Sequence, residues 1–143
     1  MKTSRRAGET PVGVFETRPW GGFVTIEEGR GYKVKRLFVR PGRRLSLQRH
    51  RFRAEHWVVV TGSPRVIVAG RPRRLRPRGA VDVPRGSWHR IENPGRVPVV
   101  MIEVQHGPYL GEDDIIRRED DYGRAAPSLA KPAARLRTVR KPR

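Results

Sequence analysis

The sequence predicts an all-β fold, a sandwich or closed barrel forming one domain. Short apolar runs are punctuated by turn residues roughly every eight to twelve positions, the rhythm of small β architectures. No helical period of useful length appears before Gly111. Two runs, residues 58–60 and 97–105, are apolar on both faces, as strands are when both sides are covered. The 143 residues suit one domain plus tails, with the core-forming side chains concentrated between Phe15 and Tyr122.

Taken in order, residues 1–14 are mostly polar, lack periodicity and read as a disordered tail. Residues 18–23 are turn-rich, residues 24–26 begin a strand, and residues 28–31 are a hairpin loop. Residues 32–40 alternate, with Val34, Arg36 and Phe38 on one face and Lys35, Leu37 and Val39 on the other. Neither face is wholly apolar or polar. Either a charged residue points into a pocket, or a lysine stem lies over apolar surface with its head in water. Strands follow at residues 44–50, 55–60, 64–69, 73–78 and 80–83, then at 88–92 and 97–105. Residues 112–116 allow one helical turn, with Asp113 and Asp114 placed as caps. Residues 124–143 are rich in Ala, Pro and Arg and read as a second disordered tail. The domain is therefore residues 15–123. A homodimer that buries an outer sheet face accounts for the two-faced apolar strands.

The chain has no cysteine, which excludes disulfide frameworks and thiolate metal sites and is compatible with a reducing cytoplasm. The basic N-terminus is followed by no apolar run, so no secretory signal is expected, and no stretch reaches membrane-spanning length. The formal net charge of +18 invites a nucleic-acid reading. Its distribution favours a solvated, arginine-rich surface instead, since residues 124–143 hold seven Lys/Arg and no acid. Nucleic-acid contact through that tail is the weaker reading. A phosphorylated small molecule would also gain from a positive approach field.

Residues 41–62, PGRRLSLQRHRFRAEHWVVVTG, carry the chemistry. Strand alternation points Ser46, Gln48 and His50 one way and Leu45 and Leu47 the other. On the next strand Glu55, Trp57 and Val59 share a face, opposed by His56, Val58 and Val60. Pairing of the two strands would converge an imidazole, an amide oxygen and a carboxylate on one point, an O/N metal nest. The turn at Pro84 and Gly86 delivers His89, completing an N₂O₂ set of Gln48, His50, Glu55 and His89. The alternative is a metal-free barrel whose histidines are hydrogen-bonded inside.

These spacings resemble the paired motifs of the cupin superfamily. Gly42, Gln48, His50, Glu55 and Gly62 fit the first motif, with Gln48 where many cupins have histidine, and Pro84, Gly86, His89 and Asn93 fit the second. The expected fold is thus the cupin double-stranded β-helix, or jelly-roll barrel. RPWG at residue 18, YKVKRL, RAEHW, ENPG, IEVQ, GEDDI and DDYGR together resemble one group more closely. This is the type II mannose-6-phosphate isomerase cupin domain, otherwise found at the C-terminus of mannose-1-phosphate guanylyltransferases.

The resemblance implies a divalent metal and interconversion of mannose 6-phosphate and fructose 6-phosphate in polysaccharide precursor supply. Zn²⁺, Mn²⁺, Fe²⁺, Co²⁺ and Ni²⁺ all suit the ligand set. Guanylyltransferase activity is not expected, because 143 residues do not accommodate that domain and no Gly-rich phosphate loop is present. Arg51 and Phe52 stand where the family usually has two histidines. For catalysis the candidates are Glu55, Arg53 and Lys35. For the substrate phosphate they are Arg53, Lys35 and Arg90, although Arg90 faces away from His89 on a regular strand. No residue stands out as general base. A non-catalytic cupin that binds a metal or sugar phosphate, as a module of polysaccharide biosynthesis, is the alternative function.

Overall fold

The computed structural model describes residues 11–125. Its eleven strands run β1 Phe15–Arg18, β2 Gly21–Gly29, β3 Tyr32–Val39, β4 Leu47–Arg49, β5 Ala54–Thr61 and β6 Arg65–Val68. They continue as β7 Arg71–Arg74, β8 Ala80–Val83, β9 His89–Glu92, β10 Val99–His106 and β11 Ile116–Glu119. Six form one sheet in the order β1-β2-β3-β10-β5-β8, and five form the other in the order β11-β4-β9-β6-β7. The fold is the all-β jelly roll. No helix among the described residues is long and apolar enough to cross a membrane.

The inward rows of the large sheet decide where a site can form. On β10 the buried residues read Val99, Met101, Glu103, Gln105. Their partners on β3 read Val39, Leu37, Lys35, Lys33, and β5 contributes Val59, Trp57 and Glu55 on the other side. Alternation aligns these rows on one face, so the barrel interior is apolar at one end and ionisable at the other. The apolar end is closed by Val66, Ile91 and Leu45 from the small sheet and its approach. Gly62 turns the chain out of β5 at φ +84°. A Cβ there would lie 2.8 Å from the Pro98 carbonyl oxygen, so only glycine suits the motif's closing position.

Several sequence expectations change. β4 and β5 do not pair; they lie in different sheets, β4 against β9 and β11, β5 against β10 and β8. Their side chains meet across the barrel interior instead. Leu45 and Ser46 both line the cavity, because the chain there is outside the ladder and strict alternation does not apply. Residues 112–116 form no helical turn: a turn at Glu112 and Asp113 leads into β11. Of the tails, Val12 bridges Thr25 and Arg124 binds Asp120, while residues 1–10 and 126–143 lie outside the described residues. The outward row of the large sheet is half-buried at Val58, Val100, Ile102 and Val104 and open at Val60.

Candidate metal centre

β4 ends one residue before His50, β5 supplies Glu55, and β9 opens on His89. All three are buried, and their ligand atoms lie within 4.8 Å of one another. Glu55 Oε1 is 3.0 Å from His50 Nε2 and 3.9 Å from His89 Nε2. Gln48 is the direct cross-strand partner of His89, so its side chain shares that face and lines the same cavity. The structure therefore brings His50, Glu55 and His89 together, with Gln48 on the same cavity wall.

The outer partners fix the rings. His50 Nδ1 lies 2.6 Å from the Asp114 carbonyl oxygen, and His89 Nδ1 lies 2.9 Å from that of Ser87. A carbonyl only accepts, so each Nδ1 carries the proton and donates it. Each Nε2 can then present a lone pair to the centre, the arrangement by which metal-ligating histidines are oriented. His89 is neutral at physiological pH, since burial lowers its pKa to about 4. Two lone pairs and a carboxylate held this close require a proton or a cation between them. Arg53 Nη2 meets part of that need at 3.2 Å from both His50 Nε2 and Glu55 Oε1, while Arg53 Nη1 is buried without a partner. The residues fit a divalent ion bound by nitrogen and oxygen.

The second carboxyl, Glu103, was not singled out from the sequence. Burial, then the Glu55 charge and a hydrogen bond shared with it, push the Glu103 carboxyl well above its ordinary range. Burial also opposes ionisation of Glu55, but that hydrogen bond and then the Arg53 guanidinium hold it well below. The two shifts favour the proton on Glu103 and the charge on Glu55, which also accepts from Trp57 Nε1 at 2.8 Å. Glu112 is a third carboxyl on the cavity wall. Burial opposes its ionisation, yet Lys35, Arg53 and Lys33 keep its pKa below the usual value.

Lys35 points inward, as one reading of its strand allowed: it is buried, bonded to Glu112, and lies 4.0 Å over the Phe23 ring. Arg53 lines the cavity, as expected. Arg90 does not reach it. Its guanidinium donates to the Leu45 carbonyl at 3.0 Å and pairs with Glu119 at 3.2 Å, on the outer side of its strand. His56 is on the outer face, as alternation expects, and is paired with Asp82 at 2.6 Å. Trp20 and Trp57 are core residues. Trp88 is a rim residue beneath the guanidinium groups of Arg49 and Arg118.

Three further cations line the cavity, Arg18, Arg117 and Arg124, from β1, β11 and the segment after it. Burial, then repulsion from Arg124 and Arg18, lowers the Arg117 pKa, and its buried Nε has no partner. No single motif announces this cluster, since its members come from the two ends of the domain.

A two-sheet jelly roll with histidines and a carboxylate converging on its inner wall is a cupin. Solved cupin-type structures share the fold, among them the capsular polysaccharide assembling protein CapF of Staphylococcus aureus. It has 21% identity and a TM-score of 0.66, over 78% of this chain and 35% of that one. The oxalate decarboxylase of Lactobacillus farciminis has 19% identity and a TM-score of 0.64, over 73% and 33%. The family model described as Mannose-6-phosphate isomerase C-terminal matches residues 6–120, and the chain belongs to that family.

Among curated relatives, mannose-1-phosphate guanylyltransferase ManC of Salmonella typhimurium is 50% identical over 107 residues, 75% of this chain and 22% of the relative. Alginate biosynthesis protein AlgA of Pseudomonas aeruginosa is 49% identical over 109 residues, 76% and 23%. The chain thus spans under a quarter of these relatives' length.

Proposed function

We propose that the polar end of the barrel is a metal-dependent aldose–ketose isomerase site that interconverts mannose 6-phosphate and fructose 6-phosphate, supplying polysaccharide precursors. The observation that carries this reading is one cavity holding a His₂Glu metal set, an arginine cluster and two further carboxyls with oppositely shifted pKa values. His50, Glu55 and His89, with Gln48 beside them, would hold the ion, which would polarise the sugar carbonyl and stabilise negative charge on its oxygen.

The chain's own residues do the rest. Arg18, Arg117 and Arg124 take the phosphate, whose charge relieves their mutual repulsion. Arg53 offers its unpartnered Nη1 to a sugar oxygen. Carboxyl groups pushed to opposite protonation states are matched to acid and base roles. Glu112, ionised and held by Lys35, takes the proton from C2 of the aldose as the C1=C2 double bond forms. Glu103 gives its proton to the carbonyl oxygen O1. Glu103 then takes the O2 proton as C2=O2 forms, and Glu112 returns its proton to C1. Atoms and charge balance, and both carboxyls end as they began.

Arg51 and Phe52 do not weaken this reading, since both are exposed and neither lines the cavity. The experiment is direct: the purified chain, supplied in turn with Zn²⁺, Mn²⁺, Co²⁺ and Ni²⁺ and anaerobically with Fe²⁺, should convert mannose 6-phosphate to the ketose, and EDTA should stop it. Thermal stabilisation by mannose 6-phosphate without turnover would make it the non-catalytic sugar-phosphate binder instead. The reading includes a homodimer through the outward Val58, Val60, Val100 and Ile102 surface, and a monomer in sedimentation velocity removes that part.

A further inference from the structure

We infer that Asp114 is a positioning residue, which locks the His50 loop in the geometry that binds metal, although it does not line the cavity itself. This rests on the metal reading above. The chain between β10 and β11 crosses the polar mouth of the barrel. It leaves β10 at Gly107, where a Cβ would lie 2.0 Å from the Phe52 carbonyl oxygen, so only glycine lets the two segments touch. Lys33 Nζ donates to the Leu110 carbonyl at 2.8 Å, Lys35 binds Glu112, and Tyr109 packs edge-on against Phe52. Asp114 closes this strap with three contacts to one loop. Its carboxylate accepts from Arg51 N at 2.9 Å and Phe52 N at 3.0 Å, and its carbonyl accepts from His50 Nδ1.

The consequence is mechanical. Residues 50–53 carry both the ligand His50 and the cation Arg53, yet they lie outside any strand, between β4 and β5. Their amides have no ladder to hold them, and the Asp114 carboxylate takes the place of one. The side chain holds the loop backbone, while the main-chain oxygen of the same residue holds the ring proton on Nδ1. Asp114 therefore restrains the loop amides and the imidazole together from a different strand connection, while Gly86 N and Arg85 Nε hold the His50 and Arg51 carbonyls at 3.0 and 2.6 Å. Outer partners of this kind typically change metal affinity about 10–100-fold when removed.

The test uses Co²⁺, whose visible absorption reports ligand geometry, titrated into the metal-free full chain. Asp114→Asn leaves one acceptor for two amides and Asp114→Ala leaves none, so Co²⁺ affinity should fall about tenfold and up to about 100-fold respectively, with an altered spectrum. Asp121→Asn, which breaks the Arg44 ion pair on the surface, should leave both unchanged. In the wild-type chain, linkage requires that Co²⁺ loading raise hydrogen-exchange protection at the Arg51 and Phe52 amides. That measurement decides the matter even if the Asp114 variants fail to fold. Wild-type affinity and spectrum in folded Asp114 variants, or unchanged protection on loading, overturns the positioning role alone. A wild-type chain that binds no Co²⁺ overturns the metal reading and this role with it.

Discussion

The two ends of the barrel interior are built from the same strands and behave as opposite materials. At one end Val39, Val59, Val99 and Met101 are sealed from solvent, with no polar atom to satisfy. Two to four residues further along the same strands, Lys35, Glu55 and Glu103 are also buried, and each is engaged by polar partners. Desolvating charges is costly, so such a cluster survives only where pairing offsets the loss. The apolar end stabilises the fold, and the polar end uses that rigidity to hold groups apart from water at fixed pKa values.

This division can be broken in graded ways. Glu55→Gln removes the central charge of the polar end and should abolish both metal uptake and isomerase turnover while the chain stays folded, as read by metal analysis, assay and circular dichroism. Met101→Ala, made in the apolar end, should do the reverse. It should cost about 2–5 kcal/mol of stability in urea unfolding and leave metal affinity unchanged. Arg117→Ala should raise KM for mannose 6-phosphate about tenfold or more with a smaller effect on kcat, since a charge-assisted contact is worth roughly 1.5–3 kcal/mol.

Glu112 adds a pH signature. Its folded carboxyl lies below the ordinary 4.5, so its contribution to stability is full above that value and is lost as pH falls through the folded one. Glu112→Gln should flatten the acid limb of the stability curve and also slow turnover. The smallest effect is expected at the rim, where Phe52→His, restoring a histidine the family usually has, should change kcat/KM less than about threefold.

The grouping of His50, Glu55 and His89, with Gln48 beside them, was legible in the sequence because cupin spacing ties these residues to two short segments. What the sequence misplaced was the route by which they meet. Period-two alternation says which side chains share a face, but it carries no information on which sheet a strand joins, so β4 and β5 were read as neighbours when they face one another. Glu103 was within reach of the same reasoning, since it alternates with Met101 after a fully apolar run over residues 99–102. Arg18, Arg117 and Arg124 were not, because 32 Lys/Arg give every segment its cations and only the fold shows which three converge. Asp114 looked like a helix cap, and it does cap backbone amides, though those of a loop more than sixty residues earlier.

The central claim is that His50, Glu55 and His89 grip one ion within the polar end. Metal analysis of the wild-type chain beside His89→Ala, each loaded with Zn²⁺ and dialysed, tests it most directly. The account predicts close to one equivalent of metal per wild-type chain and almost none in a folded variant. Equal metal content in the two, or none in either, would contradict it.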